Sequence, residues 1–223
     1  MSLLEISSSE GAIATIVLNR PEKKNALSIA LREEFTAALD TIANDGVTRV
    51  VVVTGAGSVF SAGFDLSEFQ RLDDPDHARM VWESSDRFHH ACLQFPLPMI
   101  AAVNGPALAG GFDLAVMCDL RIVSDMGRFA HPEITFGDVV YAPLHDLVGG
   151  AVARDLCFTG RPVDAAEALR LGLVSRVVAP ADLLATASEV AAQIARVPRE
   201  LLLRTKAKVL RRAGVTVGGT LDL

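Results

Sequence analysis

Two carboxylates and two glycine turns are the residues of this chain whose types and spacing suit acid–base chemistry beside a carbonyl group. Asp113 stands three residues beyond Gly110 in the run N-G-P-A-L-A-G-G-F-D-L-A-V-M-C-D, which begins at Asn104, and Glu133 closes the run His131-Pro132-Glu133. A glycine turn that opens a helix points unpartnered backbone N–H groups at whatever fills its mouth, because the first helical turn has no internal acceptors for them. A second turn of the same type, Ala62-Gly63-Phe64-Asp65, follows another apolar strand pattern. If the fold brings the turns together, the N–H groups of Phe64 and Gly110 meet at one oxygen. Two such donors form an oxyanion hole, which holds charge as it develops on a carbonyl. Asp113 and Glu133 then supply what proton transfer at the adjoining carbons requires. An Asp in a first helical turn is favoured by the helix dipole alone, so it is the recurrence of the turn that points to chemistry.

The elements that must position these residues follow from periodicity. Leu3 to Ser7 and Ala12 to Leu18 read as strands joined at Glu10-Gly11. Ser28 is placed as an N-cap, with Leu31, Phe35, Leu39 and Ile42 on one helical face behind it. Arg49 to Thr54, with four consecutive valines, has the pattern of a strand buried on both faces. The Gly55-x-Gly57 that follows lacks the third glycine of a dinucleotide fingerprint, since Phe60 stands there. His77 to Phe95 is expected to be an amphipathic helix with Met80, Phe88, Ala91, Cys92 and Phe95 on its apolar side. Met99 to Val103 and Arg121 to Val123 read as buried strands around the glycine turn and helix at 104–119. Beyond them come a short extended piece at 128–130, helices at 144–158 and 164–171, a strand at 174–178, and helices at 181–196 and 199–212. The best boundary falls near Pro180, giving a core at 1–180 and a C-terminal helical region at 181–223, with no clear pattern in the tail 214–223.

Composition narrows the classes of function. Half of the 223 residues are hydrophobic and 22% are charged, enough for a sizeable core. The net charge of -6 argues against a nucleic-acid partner, because phosphate backbones select a basic surface. No apolar run is long enough to span a bilayer. Cys92, Cys118 and Cys157 are odd in number and set in apolar surroundings, the usage of buried free thiols in a reducing cytoplasm. No histidine spacing suits a metal site.

Five segments in register resemble the crotonase superfamily, the enoyl-CoA hydratases and isomerases. They are N-R-P-E-K-K-N-A-L at 19–27, F-S-A-G-F-D-L at 60–66, A-A-V-N-G-P-A-L-A-G-G-F-D-L-A-V-M-C-D-L-R-I at 101–122, H-P-E at 131–133 and T-G-R-P-V-D-A-A-E-A-L-R-L-G-L-V at 159–174. The resemblance implies an α/β fold built as a spiral of strand-strand-helix units, assembled as a homotrimer or a pair of trimers. It implies a role in fatty acid metabolism, with an acyl-CoA thioester whose oxygen lies between the N–H groups of Phe64 and Gly110. Lys23, Ala26, Ala62, Asp65, Leu66 and Leu108 would line the CoA channel, and the cations Arg20, Lys23 and Lys24 would offset its phosphates. No cofactor is implied, since coenzyme A arrives as part of the substrate.

Asp113 and Glu133 fall where hydratases carry two catalytic Glu residues, so one carboxylate is a methylene shorter here. The run G-D-V-V-Y-A-P-L-H-D-L-V-G-G at 137–150 departs from the family's glycine-rich helix start and makes Tyr141 and His145 candidate pocket residues. The chain also carries less C-terminal helix than the family does. The expected activity is water addition to a 2-enoyl-CoA, with Asp113 and Glu133 as acid and base. Isomerisation of an enoyl-CoA or dienoyl-CoA is the alternative within the family, and a catalytically weak acyl-CoA binder the alternative outside enzymes.

Overall fold

The computed structural model describes residues 2–9 and 12–213. The expected turn at Glu10-Gly11 and the tail 214–223 lie outside the described residues. Strands β1 (Leu4–Ser9) and β2 (Ile13–Leu18) form an antiparallel pair. Helix α1 (Ile29–Asn44) follows, capped by Ser28, whose side-chain oxygen accepts from the Leu31 N–H. Then come β3 (Val50–Gly55), the short helix α2 (Leu66–Phe69) and α3 (Pro75–Leu93). Next are β4 (Met99–Val103), β5 (Pro106–Leu108) and α4 (Gly110–Met117). They lead to β6 (Leu120–Ser124), β7 (Arg128–Ala130), a 3-10 turn at Pro132–Thr135 and α5 (Ala142–Thr159), whose helical geometry is interrupted at Gly149. The chain continues through β8 (Val163–Asp164), α6 (Ala165–Arg170), β9 (Arg176–Val178), α7 (Leu183–Ala195) and α8 (Arg199–Ala213).

The valine run of β3 is buried throughout because each face of its sheet has a cover. Val51 and Val53 join the larger core with Phe35 of α1, Phe88 of α3 and Leu114 of α4. Val50 and Val52, with Ile100, Ala102 and Ile122, pack on Leu183, Ala187, Ala191 and Ala195 of α7. The helix after Pro180 thus closes one face of the sheet and is integral to the core. The alternation is the period of two that a strand imposes on its side chains. Met80 is a correction: it is 48% exposed, and Val81, one position on, is the buried residue of that turn.

Two sheets organise the site. The larger has the order β1-β2-β3-β4-β6-β9, parallel from β2 onward, and the smaller has the order β5-β7-β8. The chain climbs between them in rungs. One passes from β4 in the large sheet to β5 in the small one and then α4; the next passes from β6 to β7 and then α5. The rung before both starts with β3 and reaches the small sheet only as a bridge, Ser61 pairing with Ala107. Ala107 in turn pairs with Phe129. Ser61, Ala107 and Phe129 therefore stand side by side, and the three loops leaving them, at 62–66, 108–110 and 130–133, open at the same level.

Candidate active site

Backbone hydrogen bonds sew these loops together. Leu108 N–H donates to Ser61 O at 2.9 Å, and Ala109 N–H to Ala130 O at 2.9 Å. The loop at 19–27 joins them, with Ala62 N–H donating to Lys24 O at 3.0 Å and Leu27 N–H to Gly63 O at 2.8 Å. Ala26, Ala62, Asp65 and Leu108 thus come into one neighbourhood, with Leu66 exposed at the start of α2 and Lys23 and Lys24 exposed on the loop at 19–27. The loop is held from inside by the buried Asn25. Its side-chain N–H groups reach Ala56 O and Val59 O, and its oxygen accepts from Arg20 N–H.

Arg20 differs from the expected counter-cation. Its guanidinium bonds Ala26 O at 2.7 Å and Asp65 at 3.1 Å, so the charge is already matched within the protein. Asp65 is likewise committed as the cap of α2, accepting from Ser67 N–H and Oγ. Burial pushes its carboxyl up, but the hydrogen bonds from Ser67 and Arg20 outweigh that and hold it below the ordinary carboxylate range.

The two glycine turns are in contact. A Cβ on Gly63, at φ +87°, would lie 2.7 Å from the Ala109 Cβ and 3.1 Å from the Gly110 nitrogen, and a Cβ on Gly110 would lie 2.8 Å from the Phe64 ring. Only residues without a side chain let the backbones approach this closely. Ala109, just before α4, has φ 51° and ψ -131°, a conformation that costs an L-residue roughly 1–3 kcal/mol and persists only where its surroundings enforce it. Among the described residues, neither the Phe64 nor the Gly110 N–H has a hydrogen-bond acceptor.

Asp113 is buried on the first turn of α4, with its N–H bonded to Ala109 O. Glu133 comes from the 3-10 turn that the Ala109–Ala130 bond holds against that helix. Between them is His131, a residue that the sequence reading passed over. Its Nδ1 is 2.9 Å from Glu133 Oε1 and 3.8 Å from Asp113 Oδ1, and its ring lies on Phe112 with centroids 4.6 Å apart. Among the described residues, Asp113 Oδ1, Glu133 Oε2 and His131 Nε2 are buried without a hydrogen-bond partner. Desolvation raises the Asp113 carboxyl to about 7, eased by His131 and reinforced by Glu133. His131 is raised as well, because its bond to Glu133 and the fields of both acids outweigh its own desolvation. A buried acid raised toward neutral pH, beside a second carboxylate with one oxygen left open, suits proton exchange with a ligand.

The remaining candidates divide. Tyr141 is partly buried against the core at the start of α5, its ring 5.5 Å from that of His145. His145 itself faces solvent and pairs with Asp146 at 3.4 Å. The expectation that it enters the acid pocket is corrected, because the first turn of α5 puts it on the outer face. Cys157 of α5 approaches instead, close enough that burial and the charges of Asp113 and Glu133 raise its thiol to about 11.

Comparison with known proteins places this arrangement. Residues 8–217 match the family model described as enoyl-CoA hydratase/isomerase. A short-chain-enoyl-CoA hydratase of Clostridium acetobutylicum is 38% identical over 194 residues, covering 85% of this chain and 74% of that protein. The crystal structure of an enoyl-CoA hydratase from Bacillus anthracis superposes with a TM-score of 0.90 at 32% identity, over 97% of this chain and 85% of that one. That of an enoyl-CoA hydratase from Mycobacterium tuberculosis H37Rv gives 0.83 at 37% identity, over 95% and 90%. The fold is that of the crotonases, and the chain belongs to the enoyl-CoA hydratase/isomerase family.

Proposed function

We propose that this protein adds water across the double bond of a 2-enoyl-CoA thioester. The observation that carries the reading is the pair of acids, buried Asp113 and partly buried Glu133, with oxygens that lack partners among the described residues, beside two contacting turns whose Phe64 and Gly110 N–H groups have no acceptor among them. In this reading the thioester oxygen binds between those amides. Glu133 takes the proton of a water whose oxygen attacks the β-carbon, and the displaced π electrons move onto the thioester as an enolate. Asp113 then gives its proton to the α-carbon. The amides favour the enolate oxygen over the carbonyl, so they bind the transition state more tightly than the substrate.

Ala26, Ala62, Leu66 and Leu108 would flank the pantetheine arm, Asp65 would hold the wall that carries them, and Lys23 and Lys24 would face the CoA phosphates. Tyr141 would border the acyl end. No resident metal or cofactor enters, since proton transfer and oxyanion binding complete the reaction, so a chelator should leave the rate unchanged. Trimers or pairs of trimers would account for the exposed aromatic rings Phe136 and Phe158, and light scattering measures this directly. The three unpaired cysteines fit a reducing compartment such as the cytoplasm, where fatty acid metabolism would supply the substrate; no helix among the described residues is long and apolar enough to cross a membrane.

The test is loss of conjugated thioester absorbance on mixing with crotonyl-CoA and longer homologues. Absorbance loss with formation of the 3-hydroxyacyl product supports hydration. Deuterium exchange at the α or γ carbon without water addition would replace it by isomerisation, and tight binding with neither would leave an acyl-CoA binder.

A further inference from the structure

We propose that His131 is a positioning residue that decides which of the two acids carries the proton. Its cationic ring, wedged between them, holds Glu133 as the base in one orientation and leaves Asp113 as the acid. The inference rests on the hydration reading and deepens it. Two carboxylates in one desolvated site cannot both be ionised without a compensating charge. Among the described residues no lysine or arginine pairs with Asp113 or Glu133. The ionisable groups that act on the ring are Asp113 from α4 and Glu133 from its own turn, and the Cys157 thiol of α5 feels the charge of both acids, so His131, once protonated, is the local source of positive charge among the described residues.

Geometry fixes how that charge is used. The side chain is fully buried, and its stacking on Phe112 leaves Nδ1 as the atom that reaches both acids. The nearer contact, 2.9 Å to Glu133 Oε1, occupies one oxygen of that carboxylate and leaves Oε2 open to take a proton from water. At 3.8 Å, Asp113 Oδ1 is outside hydrogen-bond range but inside the field of the ring. One nitrogen thus makes a bond to one acid and exerts only a field on the other. That asymmetry separates their roles.

The experiment compares the pH dependence of kcat/KM for wild type and His131→Gln, together with ¹⁵N imidazole titrations of unliganded wild type, Asp113→Asn and Glu133→Gln. Glutamine can still donate a hydrogen bond to Glu133 but carries no charge. Its variant should melt near the wild-type temperature and keep KM within about threefold, while kcat falls about tenfold. Its alkaline limb, which reports the proton on Asp113, should move to higher pH by about one unit, because the cation that eased ionisation is gone. In the titrations, neutralising either carboxylate should make His131 release its proton at lower pH.

A kcat loss with both limbs unmoved marks a purely structural histidine and overturns the proposal while hydration stands. If the chain hydrates no enoyl-CoA, or His131→Gln does not fold, the titrations decide alone. Coupling to both acids supports the assignment, and a ring neutral above about pH 5 in wild type, or indifferent to both substitutions, overturns it.

Discussion

Two buried polar clusters stand on either side of the glycine turns, and they are built on opposite terms. The Arg32 guanidinium has its partners. The guanidinium is fully buried on α1, gives Nε and Nη2 to Ser84 Oγ, Nη1 to Leu27 O and Nη2 also to Val81 O, and lies 4.3 Å from the centroid of the Phe64 ring. Desolvation lowers it to about 10, still protonated at neutral pH. Around His131 three polar atoms are left open. A buried polar group with all its partners holds elements together, here α1, α3 and the loop before α1. One left incomplete costs stability in the free protein and is complete only when a ligand arrives. The contrast separates scaffold from site within one molecule.

The contrast predicts opposite responses to substitution. The largest is expected for Glu133→Gln, which should lower the hydration rate about a thousandfold with little change in melting temperature, as read by crotonyl-CoA turnover and calorimetry on one preparation. A stability loss matching the activity loss would erase the distinction. Arg32→Met should do the reverse, costing about 3 kcal/mol in denaturant unfolding by stranding the carbonyls it bonds. Gly63→Ala tests the contact between the turns. A methyl 2.7 Å from the Ala109 Cβ must push the amides apart, and a displacement near 1 Å should reduce turnover roughly a hundredfold.

Asp113→Asn sharpens the comparison through pH. The folded-state value of about 7 lies above the ordinary aspartate value of 3.8, so the folded chain binds this proton more tightly than the unfolded one. The stability so gained is full below 3.8 and is lost as pH rises through about 7. Asparagine removes the loss, and the variant should therefore melt above wild type at alkaline pH and near it in acid. Smallest is Ser28→Ala, about 1 kcal/mol from an ordinary lost cap, with turnover unchanged once the chain is folded.

Local patterns made most elements legible. The valine run named β3 and its two covered faces, and Ser28 with its apolar series named α1 and its start. Each depends on neighbours in sequence, so each could be read there. Arg32 could not, because its burial is imposed by Phe64 and Ser84, far along the chain; beside Leu31 it reads as solvated. Met80 failed for the converse reason, being apolar in type but turned outward by the register of α3. The acids were legible as types at suggestive spacing. Their meeting through His131 depends on Ala109 bonding Ala130, a pairing between rungs that share no repeated sequence. The signal available for His131 was its place two residues before Glu133, in a segment that periodicity describes only as a turn.

The rungs divide labour in a way that bears on how such a chain can change. Ser61 and Ala107 begin the loops that contribute amides, while Phe129 begins the one that contributes both Glu133 and the histidine beside it. The proposed grip on a thioester is thus written on two storeys of one staircase, the second of which also carries Asp113, while the base and its histidine stand on the third. A change confined to residues 130–136 can retune the chemistry while the hold on the substrate stays as it was.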